Sequence, residues 1–167
     1  MRTIKWIPLL LLLVLSPLVA VEPTGITAQL GEVKVCVDPD WPPFETLDKE
    51  GNHHGIGADL LRLVGERAGV TFSIVKTTDW VASLAASQAG ECQVVSLLNR
   101  TPERDAWLIF TDPIFTDPNV FITRVEHNFI ADAASLSDAT IVFPKGTSME
   151  EKFRGLYPNL TVVNSES

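Results

Sequence analysis

An α/β fold built on a parallel sheet is what this sequence predicts, and three observations predict it. Extended and helical runs alternate in the order β-α-β-α-β from residue 33 to residue 98. The extended runs "VKVCV" (33–37), "VTFSIV" (70–75) and "QVVSLL" (93–98) are apolar on both faces, as strands covered by helices are. The runs between them carry helix signals: "ADLLRLVGERAG" has Leu60, Leu61, Val64 and Ala68 on one stripe and stops at Gly69, and "TTDWVASLAASQAG" starts with a Thr78 or Asp79 cap and ends at Gly90. Parallel neighbours joined this way need helical crossovers, which are right-handed.

The remaining segments are placed around that unit. With 167 residues, 46% of them hydrophobic, the chain makes one ordinary domain or one domain and part of another. Residues 1–20 hold two basic residues, an apolar run through Leu9–Leu15 and a small residue at Ala20. They predict a cleaved secretory signal peptide, with an uncleaved anchor as the alternative. Residues 21–31 are expected to be irregular. Residues 38–57, rich in proline and glycine, are expected to form a long loop. The Leu60–Ala68 stripe is expected to pack as core. "NVFITR" (119–124) is another extended run, and 125–138 reads as a linker. "ATIVF" (139–143), the helix in "PKGTSMEEKFRGLYP" (144–158) and "LTVVN" (160–164) open a second β-α-β unit. One lobe plus a piece of another predicts an incomplete second lobe, and with it a gene fragment or shortened product.

Charge and cysteines narrow the function classes. Removing Arg2 and Lys5 with the signal takes the net charge from −8 to −10. That field disfavours nucleic acid and anionic membrane surfaces, so no nucleic-acid partner is expected. Cys36 and Cys92 are the only cysteines. Outside the cytosol two cysteines more often bridge than stay as thiols, and both states are carried forward. The spacing fits no zinc pattern, His53-His54 reads as a pair of exposed loop histidines, and no glycine-rich phosphate loop, nucleophile elbow or HExxH is present. No metal or cofactor is expected.

Ligands of parallel α/β sheets bind beyond the carboxyl ends of the strands. The loops leaving strands one and three therefore carry the candidate residues: Trp41 and Phe44 on one rim, Asn99, Thr101 and Arg104 on the other. Arg104 either grips a carboxylate through two parallel hydrogen bonds or pairs with Glu103 or Asp105 as an ordinary surface arginine. Trp41 and Phe44 offer flat faces to a carbon skeleton or a cation, or else Phe44 plugs the end of the sheet. Thr147 and Ser148 stand where a helix start can bind an anion or simply be capped. Glu45 and Asp38 are the acids near the cleft that an enzyme would use, without a visible partner.

Four stretches taken together, "DPDWPPFE", "GIGADLLRLVGERAGVTF", "LLNRTPERDAWLIFTDPIF" and "GTSMEEKFRGLYPNLTVV", resemble the family 3 bacterial extracellular solute-binding proteins, from about residue 32 to the end. The resemblance implies a two-lobed Venus-flytrap of the type II periplasmic-binding-protein kind, with 32–118 as lobe 1, 119–138 as hinge crossover and linker, and 139–167 as a partial lobe 2. It implies non-enzymatic binding of an amino acid or related carboxylate in the periplasm, as the substrate-binding protein of an ABC permease. The alternatives are a sensor domain fused to a histidine kinase or diguanylate cyclase, a non-binding fragment, and a periplasmic dehydratase or murein lyase. The "WPPFE" and "LNRTPER" wording is closer to the sensors. By position, Trp41 or Phe44 would pack on the ligand, Leu98 and Asn99 would meet its ammonium and carboxylate, Arg104 would hold the carboxylate, and Thr147 with Ser148 would reach it from lobe 2. Leu97 and Asn99 stand where many members have serine or threonine, and Gln93 where an acid is usual, which bears on specificity.

Overall fold

The computed structural model describes residues 31–136 and 138–165; the signal-peptide expectation for 1–20 lies outside them. Strands β1 (Glu32–Cys36), β5 (Thr71–Ile74) and β6 (Val94–Val95) form a parallel sheet in the order β5-β1-β6. Helix α1 (Ile56–Ala68) precedes β5, and helix α2 (Trp80–Gln88) lies between β5 and β6. The predicted β-α-β-α-β order is therefore the observed one. Val35, Cys36 and Val37 are fully buried. A disulfide joins Cys36 to Cys92, and Ala86, Val75 and Val95 pack around it. It staples the end of β1 to the entry of β6, closing a loop of 56 residues.

The third strand is shorter than its apolar run. Pairing stops at Val95, and Leu97 takes a left-handed φ of 45°, which turns the chain out of the sheet. The cap of α2 is Asp79, whose side chain accepts from the Ala82 N–H at 2.8 Å. Ser83 on the same helix is fully buried and donates to the Val37 carbonyl at 2.7 Å, so α2 is tied to the carboxyl end of β1.

Residues 38–57 are not the expected loop. They fold as a small antiparallel sheet, β2 (Asp40–Trp41), β3 (Glu45–Leu47) and β4 (His53–His54), in sequential order. The prolines and glycines occupy its turns, and the Pro42–Pro43 peptide is cis. This sheet also starts α1 early. The Pro43 and Phe44 carbonyls accept from the Ile56 and Gly57 N–H groups at 3.2 and 2.9 Å. Only glycine fits at position 55, where φ is 103° and a Cβ would lie 2.5 Å from the Phe44 oxygen.

The α1 stripe is covered less than expected. Leu60, Leu61 and Ala68 are half-buried, and Val64 is 50% exposed. It borders an open cavity of about 550 Å³ with Val33, Val70, Phe72 and Val94, which no other described element fills.

Between β6 and residue 140 no described residue pairs as a strand, the 119–124 run included. Strands β7 (Thr140–Pro144) and β8 (Thr161–Ser165) then pair in parallel around helix α3 (Ser148–Leu156). Ala133, Phe153 and Leu160 form the core of this unit. The described part of the second unit is thus one helix on a two-stranded sheet.

Candidate functional site

The carboxyl ends of both parallel sheets meet. The loop after β7 places Gly146 against the start of α2, where an added Cβ would stand 3.3 Å from Trp80 and from Leu84. Trp80 Nε1 donates to the Gly146 carbonyl at 2.9 Å, and Arg104 Nη2 donates to the same oxygen at 2.8 Å. The loops leaving β6 and β7 and the start of α2 thus come together at the Gly146 carbonyl.

Arg104 lies at this junction and is buried, 3% exposed. The loop after β6 builds its position. Thr101, itself buried, accepts the Arg104 backbone N–H on Oγ1 at 3.2 Å, and Arg104 Nη1 returns to the Asn99 carbonyl at 2.9 Å. The surface-pairing alternative fails for Arg104 and holds for its neighbour: Arg100 takes Asp105 at 2.8 Å. Arg104 instead meets Glu151 of α3, Nη2 to Oε1 at 2.8 Å.

The two candidate rings are in contact, and a third joins them. Trp41 and Phe44 lie 4.5 Å apart between centroids, and Phe115 stacks on Phe44 at 5.7 Å and 7°. Trp41 ends β2 opposite Glu45, and Phe44 closes the hairpin. Phe115 was not singled out in the sequence. It belongs to "TDPIF", which has no periodicity and no charge partner to mark it. Nothing local in the sequence marks Glu151 or Trp80 as a partner of this junction.

Thr147 and Ser148 fall at the start of α3. Thr147 is the cap, accepting from the Glu150 N–H at 3.4 Å, and Glu150 reaches back to the Gly146 N–H at 2.8 Å. Burial pushes the Glu150 carboxyl up, but hydrogen bonds, those from Gly146 and Arg154 among them, outweigh it and hold the group below its usual value. Ser148 is buried. Thr147 thus caps α3, a role that can share the turn with a ligand contact. Leu98 is half-buried; the Asn99 side is exposed while its carbonyl serves Arg104.

Glu45 and Asp38 lie together at the base of the hairpin sheet. Glu45 is fully buried. Its Oε2 accepts the Asp38 N–H at 3.2 Å, and Oε1 lies 3.2 Å from His53 Nε2. Register explains the pair: Glu45 and Leu47 share a face of β3, and Leu47 stands opposite His53. His53 is therefore not the exposed loop residue expected; its side chain is 6% exposed, whereas His54 stays open at 58% and pairs with Asp48. Asp38 is pushed above the usual carboxylate range, first by burial, then by the neighbouring Glu45 charge.

The model of the bacterial extracellular solute-binding proteins, family 3, matches residues 33–159. The chain belongs to that family. Over 135 residues, 81% of this chain, it is 25% identical to the virulence sensor protein BvgS of Bordetella pertussis, and 17% identical to the sensor protein EvgS of Escherichia coli K12. Those stretches are 11% of each sensor, so the chain spans about a tenth of the curated relatives' length. Among solved structures, the periplasmic VFT2 domain of B. pertussis BvgS superposes with a TM-score of 0.65 at 26% identity, covering 84% of this chain and 60% of that one. An ancestral amino-acid-binding protein described as a precursor of cyclohexadienyl dehydratase gives 0.64 at 27% identity, covering 84% and 63%. This family 3 chain has the α/β architecture of those binding-protein lobes, its second lobe represented by one β-α-β unit. Among the described residues no helix is long and apolar enough to cross a membrane.

Proposed function

We propose that the chain binds a small polar solute, an amino acid or related carboxylate, in the crevice between residues 32–118 as first lobe and 139–167 as the start of a second, with 119–138 as the crossover. The observation that carries this is the buried Arg104 guanidinium at the meeting point of the two strand-carboxyl edges. An aromatic wall of Trp41, Phe44 and Phe115 stands on the same strand-end side of lobe 1 and offers faces to the carbon skeleton. Leu98 and Asn99 would meet the polar groups of the solute, and Thr147 and Ser148 would close from the second lobe.

Burial of Glu45 against His53 supports binding rather than turnover. The place of action is the periplasm, after export by the 1–20 signal. The curated relatives BvgS and EvgS are sensor proteins, which supports a ligand-sensing domain attached to a signalling module over delivery to a permease. Calorimetry of the purified chain against twenty amino acids and a set of dicarboxylates tests the reading. Saturable heat with at least one compound, lost in Arg104→Ala, is the expected result. No heat across the panel, or heat unchanged by Arg104→Ala, overturns it.

A further inference from the structure

Arginine has five N–H donors: one on Nε and two on each Nη. A carboxylate is held by two parallel bonds either end-on, from Nη1 and Nη2, or side-on, from Nε and Nη2. Both arrangements use Nη2. In Arg104 the two Nη2 donors are spent, one on the Gly146 carbonyl and one on Glu151 Oε1, each at 2.8 Å. No two-bond grip is left for a solute in this state.

The same pair is only half satisfied. Arg104 Nε and Glu151 Oε2 are both buried and have no hydrogen-bond partner. Glu151 therefore holds the guanidinium through one oxygen, whereas an external carboxylate placed side-on would also serve Nε. A buried donor and acceptor left unpaired make the internal contact weaker than a full two-bond pair. The contact also joins the lobes, since Arg104 belongs to the first and Glu151 and Gly146 to the second. Trp80 shares the Gly146 carbonyl and so is tied to the same joint.

We infer that Glu151 is a built-in surrogate for the solute's carboxylate: it closes the two lobes on Arg104 when no solute is present, and a solute carboxylate binds by displacing it. The inference rests on the proposed crevice but not on which solute fills it. Its consequence is a response threshold, because every carboxylate competes with an internal one.

Sodium acetate is the probe, with sodium chloride as ionic-strength control and Trp80 emission as readout, assigned by Trp80→Phe. Glu151→Ala should shift Trp80 emission to the red, as the indole loses its carbonyl partner. Acetate should then restore the emission saturably, and chloride should not. Wild type should respond at least tenfold more weakly, and Arg104→Ala/Glu151→Ala not at all. Glu151→Gln keeps the side-chain shape and should weaken the latch in the same direction, so a poorly folded alanine variant does not end the test. Equal acetate midpoints in wild type and either Glu151 variant overturn the inference, as does a folded variant whose emission neither shifts nor responds. Acetate rescue together with a silent amino-acid panel supports the latch while removing the solute class proposed above.

Discussion

The two lobes solve the same problem with different amounts of material. In the first, three parallel strands, two helices, a hairpin sheet and a disulfide surround a strand whose last residues are fully buried. In the second, two strands and one helix leave Val142, Leu156 and Val163 exposed by 60, 70 and 42%. In the first lobe, Thr101 and Asn99 fix the Arg104 backbone and Nη1, and the hairpin sets Trp41 and Phe44, although Arg104 Nη2 is held from the second. The second sets Gly146 and Glu151 partly by leaning on the first. Rigid presentation of binding groups comes from a closed local core, and a thin unit borrows its order across the cleft.

Four experiments sharpen that contrast. The largest effect is expected for Cys36→Ser/Cys92→Ser, which removes the staple of lobe 1; loss of a native disulfide costs about 2–5 kcal/mol. Urea melts under matched conditions should show it, and a change below about 1 kcal/mol would mean the lobe is held without the bridge. Next is Gly57→Ala. A Cβ there would stand 2.4 Å from Glu45 Oε1, and Glu45 is too deeply buried to move aside. Overpacking of this kind costs about 1–3 kcal/mol, seen as a lower melting temperature by circular dichroism.

Thr147→Ala removes the cap of α3, and caps are worth about 1 kcal/mol. The 3.4 Å bond places this one at the low end. Hydrogen exchange should report it in 147–156 and leave α1 unchanged; equal loss in both helices would mean the lobes unfold as one unit.

The smallest effects are in pH, and they have opposite signs in the two lobes. The folded pKa of Asp38 is raised, so its stabilising share is complete below the unfolded value near 3.8 and is lost as pH rises through the folded value. That of Glu150 is lowered, so its share is present above the unfolded value near 4.5 and is lost as pH falls. At pH 7 Asp38→Asn should therefore be slightly more stable than wild type and Glu150→Gln slightly less. Both differences should shrink toward pH 3 and stay below about 1 kcal/mol because of solvent screening. Urea midpoints at pH 7 and pH 3 check the signs, and a stabilising Glu150→Gln would refute the lowered value.

How much of this was legible in the chain follows from the range of each interaction. The β-α-β-α-β order, a cap at Thr78 or Asp79 and the second β-α-β unit rest on local periodicity and end signals, and they are present, the cap being Asp79. The 38–57 hairpin sheet was not legible, because prolines and glycines mark turns without saying whether the residues between them pair. The α1 stripe misled in part, since periodicity gives a face and not what covers it.

For the candidate site, residue types and strand polarity pointed to Arg104, Trp41 and Phe44 as candidates on strand-end loops. Phe115 and Glu151 escaped notice because their partners are 71 and 47 positions away in sequence.

The sequence by itself determined the element order and the family, because these depend on local pattern, and the direction of its parallel strands pointed to the loops that carry the proposed binding groups. Only the tertiary structure decided that the disulfide forms, that Glu45 is sealed against His53, and that Arg104 already holds a carboxylate. Each of those depends on which distant side chains share a few ångströms of buried space, where hydrogen bonds and charges act strongly and sequence separation counts for nothing.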